Sequence, residues 1–414
     1  MDNKGNVLYI SYDGMTDPLG QSQVLPYMIG LSKEGYRFTL ISAEKPNLYE
    51  QNRGTIKNIC QENKIDWIPI PYTKSPPILS TLRDLRSIKQ KAFALHNTKN
   101  FVLVHCRGYI SALIGQSMKK KFGTGFLFDM RGLWPDEKVD AGAWKLKNPL
   151  YRFVYDYYKK KEKQFFLEAD YTVSLTEAGR KEIKNWSYLK DKELKMELIP
   201  CATDASHFNP EKITATDQDS VRKELNVVPS DNIICYLGSI GTWYMLDEML
   251  DFFKRFLLQK PTSKMLFITG SEHELIKERA NKKAIPASNL IIRKASRKEV
   301  PQYLSVCDYS IFFIKASYSK ISSSPTKQGE LMAMGIPIVC NAGIGDTDSI
   351  IENFKSGVVV NKYSNEAYDK AVRELLETTF DKEKIRNGAL SYFSLDDAVA
   401  KYKYIYTFIL KKDS

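Results

Sequence analysis

Cysteine and histidine are scarce: six and four in a chain of 414 residues. The cysteines, at positions 60, 106, 201, 235, 307 and 340, form no C-x-x-C pair, and Cys235 and Cys340 stand inside apolar runs. Buried reduced thiols account for them better than disulfides or zinc ligands do. No histidine has an H-E-x-x-H spacing, which weakens a metalloenzyme reading. No run approaches the roughly 18 to 20 apolar residues that span a bilayer. The absence of any short repeat disfavours a solenoid or propeller. No G-x-G-x-x-G follows the first strand-like run, so a nicotinamide enzyme is disfavoured. That run, Val7–Tyr12, begins almost at the first methionine and leaves no room for a signal core. The expectation is a cytoplasmic protein, peripheral at most on the inner face of the membrane.

What is present fits a two-core globular chain, with 43% apolar and 27% charged residues. Net charge is +12, which suggests an anionic partner: nucleic acid, phosphate-bearing ligands or acidic lipid headgroups. Lys119–Lys121, Lys159–Lys161 with Lys163, and Arg83, Arg86, Lys89 and Lys91 all lie in the first half. Beside the last group stand Leu79, Leu82, Leu85 and Ile88, a composition suited to reversible contact with an anionic membrane. A solvated basic surface is the plainer reading of any single cluster. No aromatic–basic module supports nucleic-acid binding.

Short apolar runs alternate with amphipathic segments throughout. The strands expected in the first half are Val7–Tyr12, Phe38–Ser42, Ile65–Ile70, Phe101–His105, Gly125–Phe128, Tyr171–Ser174 and Glu197–Ile199, with helices such as Gln21–Lys33 and Leu79–Leu95 between them. A polar stretch to Ser220 resembles a linker, after which the alternation restarts. Strands are then expected at Ile233–Leu237, Lys264–Ile268, Asn289–Ile292, Tyr309–Ile314, Ile336–Cys340 and Gly357–Val360. The pattern predicts two α/β, Rossmann-like doubly wound domains facing a central cleft. Their expected extents are residues 1–205 and 206–390, with a helix in 391–414 packing back across the first domain.

Three segments carry the chemistry. Asp13, Gly14, Gly20 and Gln21 belong to a loop between the first strand and a helix start, suited to phosphate or a sugar hydroxyl. Gly238, Ser239, Gly241 and Thr242 occupy the equivalent place in the second half, where hydroxyls and free amides can meet a diphosphate. In Ser322–Val339, Pro325 and Thr326 read as a helix start with Ser324 as N-cap. Lys327 then lies in the first turn, where a bare cation opposes the helix dipole by up to about 1 kcal/mol. A bound anion would remove that conflict. Glu330, three residues on, shares its side and can accept both hydroxyls of a ribose. The alternative is a Lys–Glu pair on an exposed helix. Asp346-Thr347-Asp348 looks like D-x-D, but a helix N-cap explains it better than a metal site.

Taken together, D-G-M-T-D-P-L-G-Q-S-Q at 13–23, F-D-M-R-G-L-W-P-D-E at 128–137, I-P-C-A-T-D at 199–204 and S-P-T-K-Q-G-E-L-M-A-M-G-I-P-I-V resemble family 4 of the glycosyltransferases, which has the GT-B fold. The resemblance runs along nearly the whole chain. It implies that Glu330 binds the nucleotide ribose and that backbone at Arg293–Ser296, including Lys294 and Ala295, reads the base. It assigns donor binding to Gly20, Gly238, Ser239, Gly241, Thr242, Ser322, Thr326 and Lys327. Asp13, Gln21, Arg131, Trp134, Asp136 and Glu137 fall on the acceptor side, with packing an equal contender for Trp134.

Three positions depart from the family pattern. Ser322 stands where an E-x7-E motif has its first glutamate. Tyr244 replaces the lysine expected after the second glycine loop, which leaves Lys327 as the substitute. Arg107 falls where a histidine is frequent, while His105 reads as a core residue.

The activity implied is that of a retaining glycosyltransferase of hexosyl type, with Arg107, Lys327 and Glu330 as its catalytic set. The partners implied are a nucleotide-sugar donor and a glycan or lipid-linked acceptor in surface polysaccharide synthesis. No cofactor and no metal are implied. An inactive nucleotide-sugar-binding protein and a sugar-nucleotide epimerase of the same fold are the alternatives.

Overall fold

Apolar runs flanked by turn-forming residues become strands. Those inside the sheets are buried along nearly their whole length, as parallel strands covered on both faces must be, whereas the edge strands Asp66–Pro71 and Leu290–Arg293 are only half-buried. The computed structural model describes residues 4–412. Residues Met1–Ala202 with Leu395–Ser414 form one unit, and Thr203–Ser394 the other.

The first unit holds β1 (Gly5–Ser11), β2 (Tyr36–Glu44), β3 (Asp66–Pro71), β4 (Leu103–Arg107), β5 (Gly125–Asp129), β6 (Tyr171–Ser174) and β7 (Met196–Leu198). They form one parallel sheet in the order β3-β2-β1-β4-β5-β6-β7. The second unit holds β8 (Ile233–Leu237), β9 (Lys264–Ile268), β10 (Leu290–Arg293), β11 (Tyr309–Phe312), β12 (Ile338–Asn341) and β13 (Gly357–Val360). Its parallel order is β10-β9-β8-β11-β12-β13. Each sheet reverses its winding once, between β1 and β4 in the first and between β8 and β11 in the second. The loops leaving those strands are where doubly wound sheets bind ligands.

Three expectations are corrected. The segment Gln21–Lys33 is two helices, Pro18–Gln23 and Leu25–Lys33, broken at Val24 with φ −130° and ψ −62°. Pro26 lacks an N–H, so it can open the second helix but cannot continue the first. The stretch expected as linker contains the helix Ala215–Leu225, started by a capping box between Thr214 and Asp217. The units divide between Ala202 and Thr203, and the second runs on to Ser394. There the Thr203 amide donates to the Phe393 carbonyl at 2.7 Å, holding the two ends of the second unit together.

The closing helix Leu395–Lys412 belongs to the first unit. Tyr402, Ile405, Tyr406 and Ile409 repeat at helical spacing and are buried in its core. Tyr402 meets Tyr27 edge-on, and Tyr406 meets Tyr36 in the same way.

Candidate functional site

In the second unit, the helix Thr326–Ala333 begins at Pro325, and no side chain caps it. The N-cap is therefore Pro325 rather than Ser324. Its Lys327 runs inward, and the residue is 7% exposed. Among the described residues its ammonium has no hydrogen-bond partner. It lies 3.7 Å from the Tyr244 ring centroid and 4.2 Å from that of Tyr236. Cation–π contacts contribute about 0.5–2 kcal/mol each, whereas burying an ion costs several kcal/mol. The rings therefore do not offset the burial, and desolvation holds the Lys327 pKa well below the ordinary lysine range.

Gly238 sits beside that ammonium with φ +115°, and a Cβ there would stand 3.2 Å from Nζ. Any side chain at 238 would press on Lys327 and strain the turn. The Gly238 amide is not free, since it donates to the Ile268 carbonyl at 3.0 Å. That corrects the expectation of a free amide at Gly238. Ser239, Gly241 and Thr242 form the exposed rim of the loop. Ser322 is fully buried, and its hydroxyl has no hydrogen-bond partner among the described residues. Thr326 is half-buried at the helix start, Lys294 is exposed and Ala295 is half-buried just past β10.

Glu330 faces Arg297, with Nη1 and Oε1 3.5 Å apart. Burial pushes the Glu330 carboxyl up to about 7, against the pull of Arg297 and Lys327. Arg297 is a site residue the sequence reading missed; its signal is its place three residues beyond Lys294 in the K-A-S-R run. Asp346 stands at the N-cap of the helix Thr347–Phe354 without capping it through its side chain. Its carboxylate instead accepts from the Tyr392 hydroxyl at 2.9 Å. Among the described residues no cluster of His, Cys, Asp and Glu is arranged to hold a metal ion.

In the first unit the loop after β1 folds onto Glu44, the last residue of β2. The Met15 and Thr16 amides donate to its carboxylate at 2.8 and 3.1 Å. Glu44 was also missed; its signal is a lone carboxylate ending the apolar run F-T-L-I-S-A-E. Gly20 is required by close packing, because a Cβ there would lie 2.2 Å from the Gly14 carbonyl oxygen. Gln21 donates to the Thr16 carbonyl at 3.2 Å, and the Asp13 side chain is 49% exposed.

Asp13 accepts from Arg107 Nε at 3.3 Å. Asp129, paired in register with Arg107, accepts from the Tyr402 hydroxyl at 3.0 Å and stands 3.4 Å from His105 Nε2. Burial opposes ionisation of Asp129, but Arg131, His105 and Arg107 hold its carboxyl down to about 2. His105 is buried among Tyr9, Tyr402 and Tyr406, where desolvation keeps its pKa low. Arg131 places its guanidinium beside Asp129, with Nη1 and Oδ1 3.7 Å apart.

The remaining acceptor-side candidates lie together on one short helix. Trp134 packs edge-on to Trp144 and Tyr158 and tilted against Tyr109. Asp136 is buried and accepts from Tyr155 and Lys159 at 2.8 and 3.0 Å. Glu137, half-buried, lies in the same helix, Trp134–Asp140.

The basic surface is partly neutralised. Lys119 and Lys120 pair with Asp170 and Glu168, and Lys121 covers the Phe93 and Phe122 rings. Ile88 is a core residue at 1% exposure, since it faces inward on its helix, which removes it from the apolar patch. Leu79 and Leu82 are exposed, as are Leu150 and Phe153 on the helix Pro149–Glu168. No helix among the described residues is long and apolar enough to cross a membrane.

Residues 217–390 match the family model of glycosyl transferases group 1. The D-inositol 3-phosphate glycosyltransferase of Segniliparus rotundus is 23% identical over 286 residues, or 68% of this chain. The match spans 60% of that curated relative's length. The sucrose-phosphate synthase of Thermosynechococcus elongatus is similar in structure, with a TM-score of 0.73 at 14% identity over 98% of each chain. Anabaena HepE in complex with UDP-glucose has a TM-score of 0.69 at 12% identity, covering 97% of this chain and 99% of its own. Residues 217–390 are thus a domain of glycosyl transferases group 1, a glycosyltransferase domain, and the chain has the GT-B fold.

Proposed function

We propose that the chain is a glycosyltransferase whose second unit binds a nucleotide-sugar donor. In this reading Lys327 and the loop Gly238–Thr242 meet the diphosphate, Glu330 takes the ribose hydroxyls, and backbone at Arg293–Ser296 receives the base. The observation that carries it is the Lys327 ammonium, buried without a hydrogen-bond partner against the glycine loop. Such a cation needs an anion, and the diphosphate supplies one. When the bond from the anomeric carbon to the diphosphate breaks, its electron pair leaves with the nucleoside diphosphate. A preorganised cation then stabilises the departing charge.

Transfer proceeds with retention and without a protein nucleophile or a metal, and hexosyl transfer to a glycan or lipid-linked acceptor fits. Reversible contact with an anionic membrane is supported by exposed Leu79, Leu82, Leu150 and Phe153 near lysine-rich helices. HepE was crystallised with UDP-glucose, which makes UDP-glucose the first donor to test.

The test is a thermal-shift screen of nucleoside diphosphates and nucleotide sugars. A ligand at 100 times its Kd stabilises the native state by about 2.7 kcal/mol. A base-selective rise in Tm supports the reading, and no rise with any of them contradicts it.

A further inference from the structure

Arg107 ends β4, and Arg131 follows the end of β5 by two residues. Their side chains are only 4% and 9% exposed. A guanidinium carries five N–H donors and no acceptor. Arg107 directs Nε to Asp13, while its Nη1 is buried with no hydrogen-bond partner among the described residues. Arg131 directs Nη2 to the Cys201 sulfur at 3.3 Å, and both its Nε and its Nη1 are buried and unpartnered in the same sense. Asp129 Oδ1 is 3.7 Å from Arg131 Nη1, too far for a hydrogen bond. Asp129 Oδ2 is already occupied by Tyr402 and His105.

Arg107 is also the N-cap residue of the 15-residue helix Gly108–Phe122, which no side chain caps. The dipole of such an end favours an anion. A Cβ built on Gly108 meets nothing within 4 Å, so there is room beside Arg107. Arg131 adopts φ +57°, a conformation that L-residues avoid unless their surroundings impose it. Donor binding in the second unit uses none of these groups.

We propose that Arg107, Arg131 and the amino end of the helix Gly108–Phe122 bind a phosphate group carried by the acceptor. This rests on the transferase reading and names the chemical class of its acceptor. Buried N–H donors without a hydrogen-bond partner, at the ends of the paired strands β4 and β5 and, for Arg107, at a helix start, suit a tetrahedral oxyanion. The donor's diphosphate offers the same chemistry, so the test separates the two sources.

The experiment follows arginine side-chain Nε–Hε resonances of the full chain, labelled with ¹⁵N-arginine, during titration with inorganic phosphate. Arg131→Lys identifies the Arg131 signal by its disappearance. That signal should shift saturably with phosphate and stay put with sodium chloride at equal ionic strength. Arg107→Gln should weaken the response at least ten-fold, whereas Lys327→Met should leave it unchanged. Should Arg107→Gln fail to fold, Arg107→Lys takes its place and should weaken binding less than ten-fold.

Glycerol 1-phosphate should reproduce the shift, and glycerol should not. No saturable shift with phosphate, or one that Arg107→Gln leaves intact, overturns the proposal. So does a nucleoside diphosphate that produces the same Arg131 shift at lower concentration, which would assign the site to the donor. If phosphate shifts Arg131 as described but no nucleoside diphosphate binds the chain at all, the transferase reading fails while the phosphate site stands.

Discussion

The Lys327 ammonium lies 3.7 Å from the centre of the Tyr244 ring, so the cation touches the residue at which the family resemblance leads one to expect a lysine. The tyrosine stands in the glycine-loop segment and the lysine in the helix Thr326–Ala333, 83 positions on by residue number (327 − 244). The two positions can therefore exchange a charge without moving it far. Lys327→Met should lower donor turnover, measured as transfer or hydrolysis, by about 100-fold more than it weakens ground-state donor binding. Adding Tyr244→Lys to Lys327→Met should recover part of that loss. Near-normal turnover in Lys327→Met would show that the ammonium is not used.

Donor binding should move protons in two opposite directions. Burial keeps the Lys327 pKa low in the free protein and an arriving diphosphate raises it, so any proton change at this lysine is an uptake. Glu330 starts near 7 because of burial, and hydrogen bonds from ribose hydroxyls favour its ionised form, so it releases a proton. Calorimetric enthalpies in buffers of different ionisation heat should therefore show net uptake in Glu330→Gln and net release in Lys327→Met. Identical buffer dependence in the two variants would contradict these roles.

In the first unit, His105 Nδ1 and the Tyr406 hydroxyl are 2.8 Å apart in the buried core. Tyr406→Phe strands that nitrogen and should cost about 1–3 kcal/mol, read from denaturant unfolding. His105 has a folded pKa below its unfolded value, so the neutral form is favoured in the fold. Stability should then fall as pH drops through the ordinary histidine range near ~6.5. Asp129, held down to about 2, adds a second loss as pH falls from about 4 towards 2. Glu330, raised to about 7, gains stability over the same range, so the comparison is with His105→Gln: a pH dependence between about 7 and 5 that this variant leaves unchanged would contradict the histidine assignment.

Membrane contact, if made through the exposed apolar residues, depends on Leu79, Leu82, Leu150 and Phe153 more than on the paired lysines. Leu150→Ser with Phe153→Ser should lower co-sedimentation with phosphatidylserine vesicles several-fold at low salt. Wild-type protein that ignores such vesicles at low salt would end this reading.

The sheets were legible because parallel strands buried on both faces read as short apolar runs; Ile233–Leu237 and Tyr171–Ser174 have the same limits in sequence and structure. Helix ends were less legible, since the break at Val24 and the capping box at Thr214 depend on single backbone turns. At the site, Lys327 and Glu330 could be read from one motif because they share one helical turn. Glu44, Asp129 and Arg297 left at most a faint trace in the sequence, because each meets a residue brought to it by another element. The partners of Trp134 and Asp136 were equally illegible, because Tyr158 and Tyr155 come from the separate helix Pro149–Glu168.

The most direct measurement is a calorimetric titration of the full chain and of Glu330→Ala with UDP, GDP and ADP, each protein first checked by its unfolding transition. The account predicts that one nucleoside diphosphate binds the wild type at a single site, and that Glu330→Ala weakens it at least ten-fold while remaining folded. Binding of equal strength in Glu330→Ala, or no binding of any diphosphate to the wild type, would contradict it.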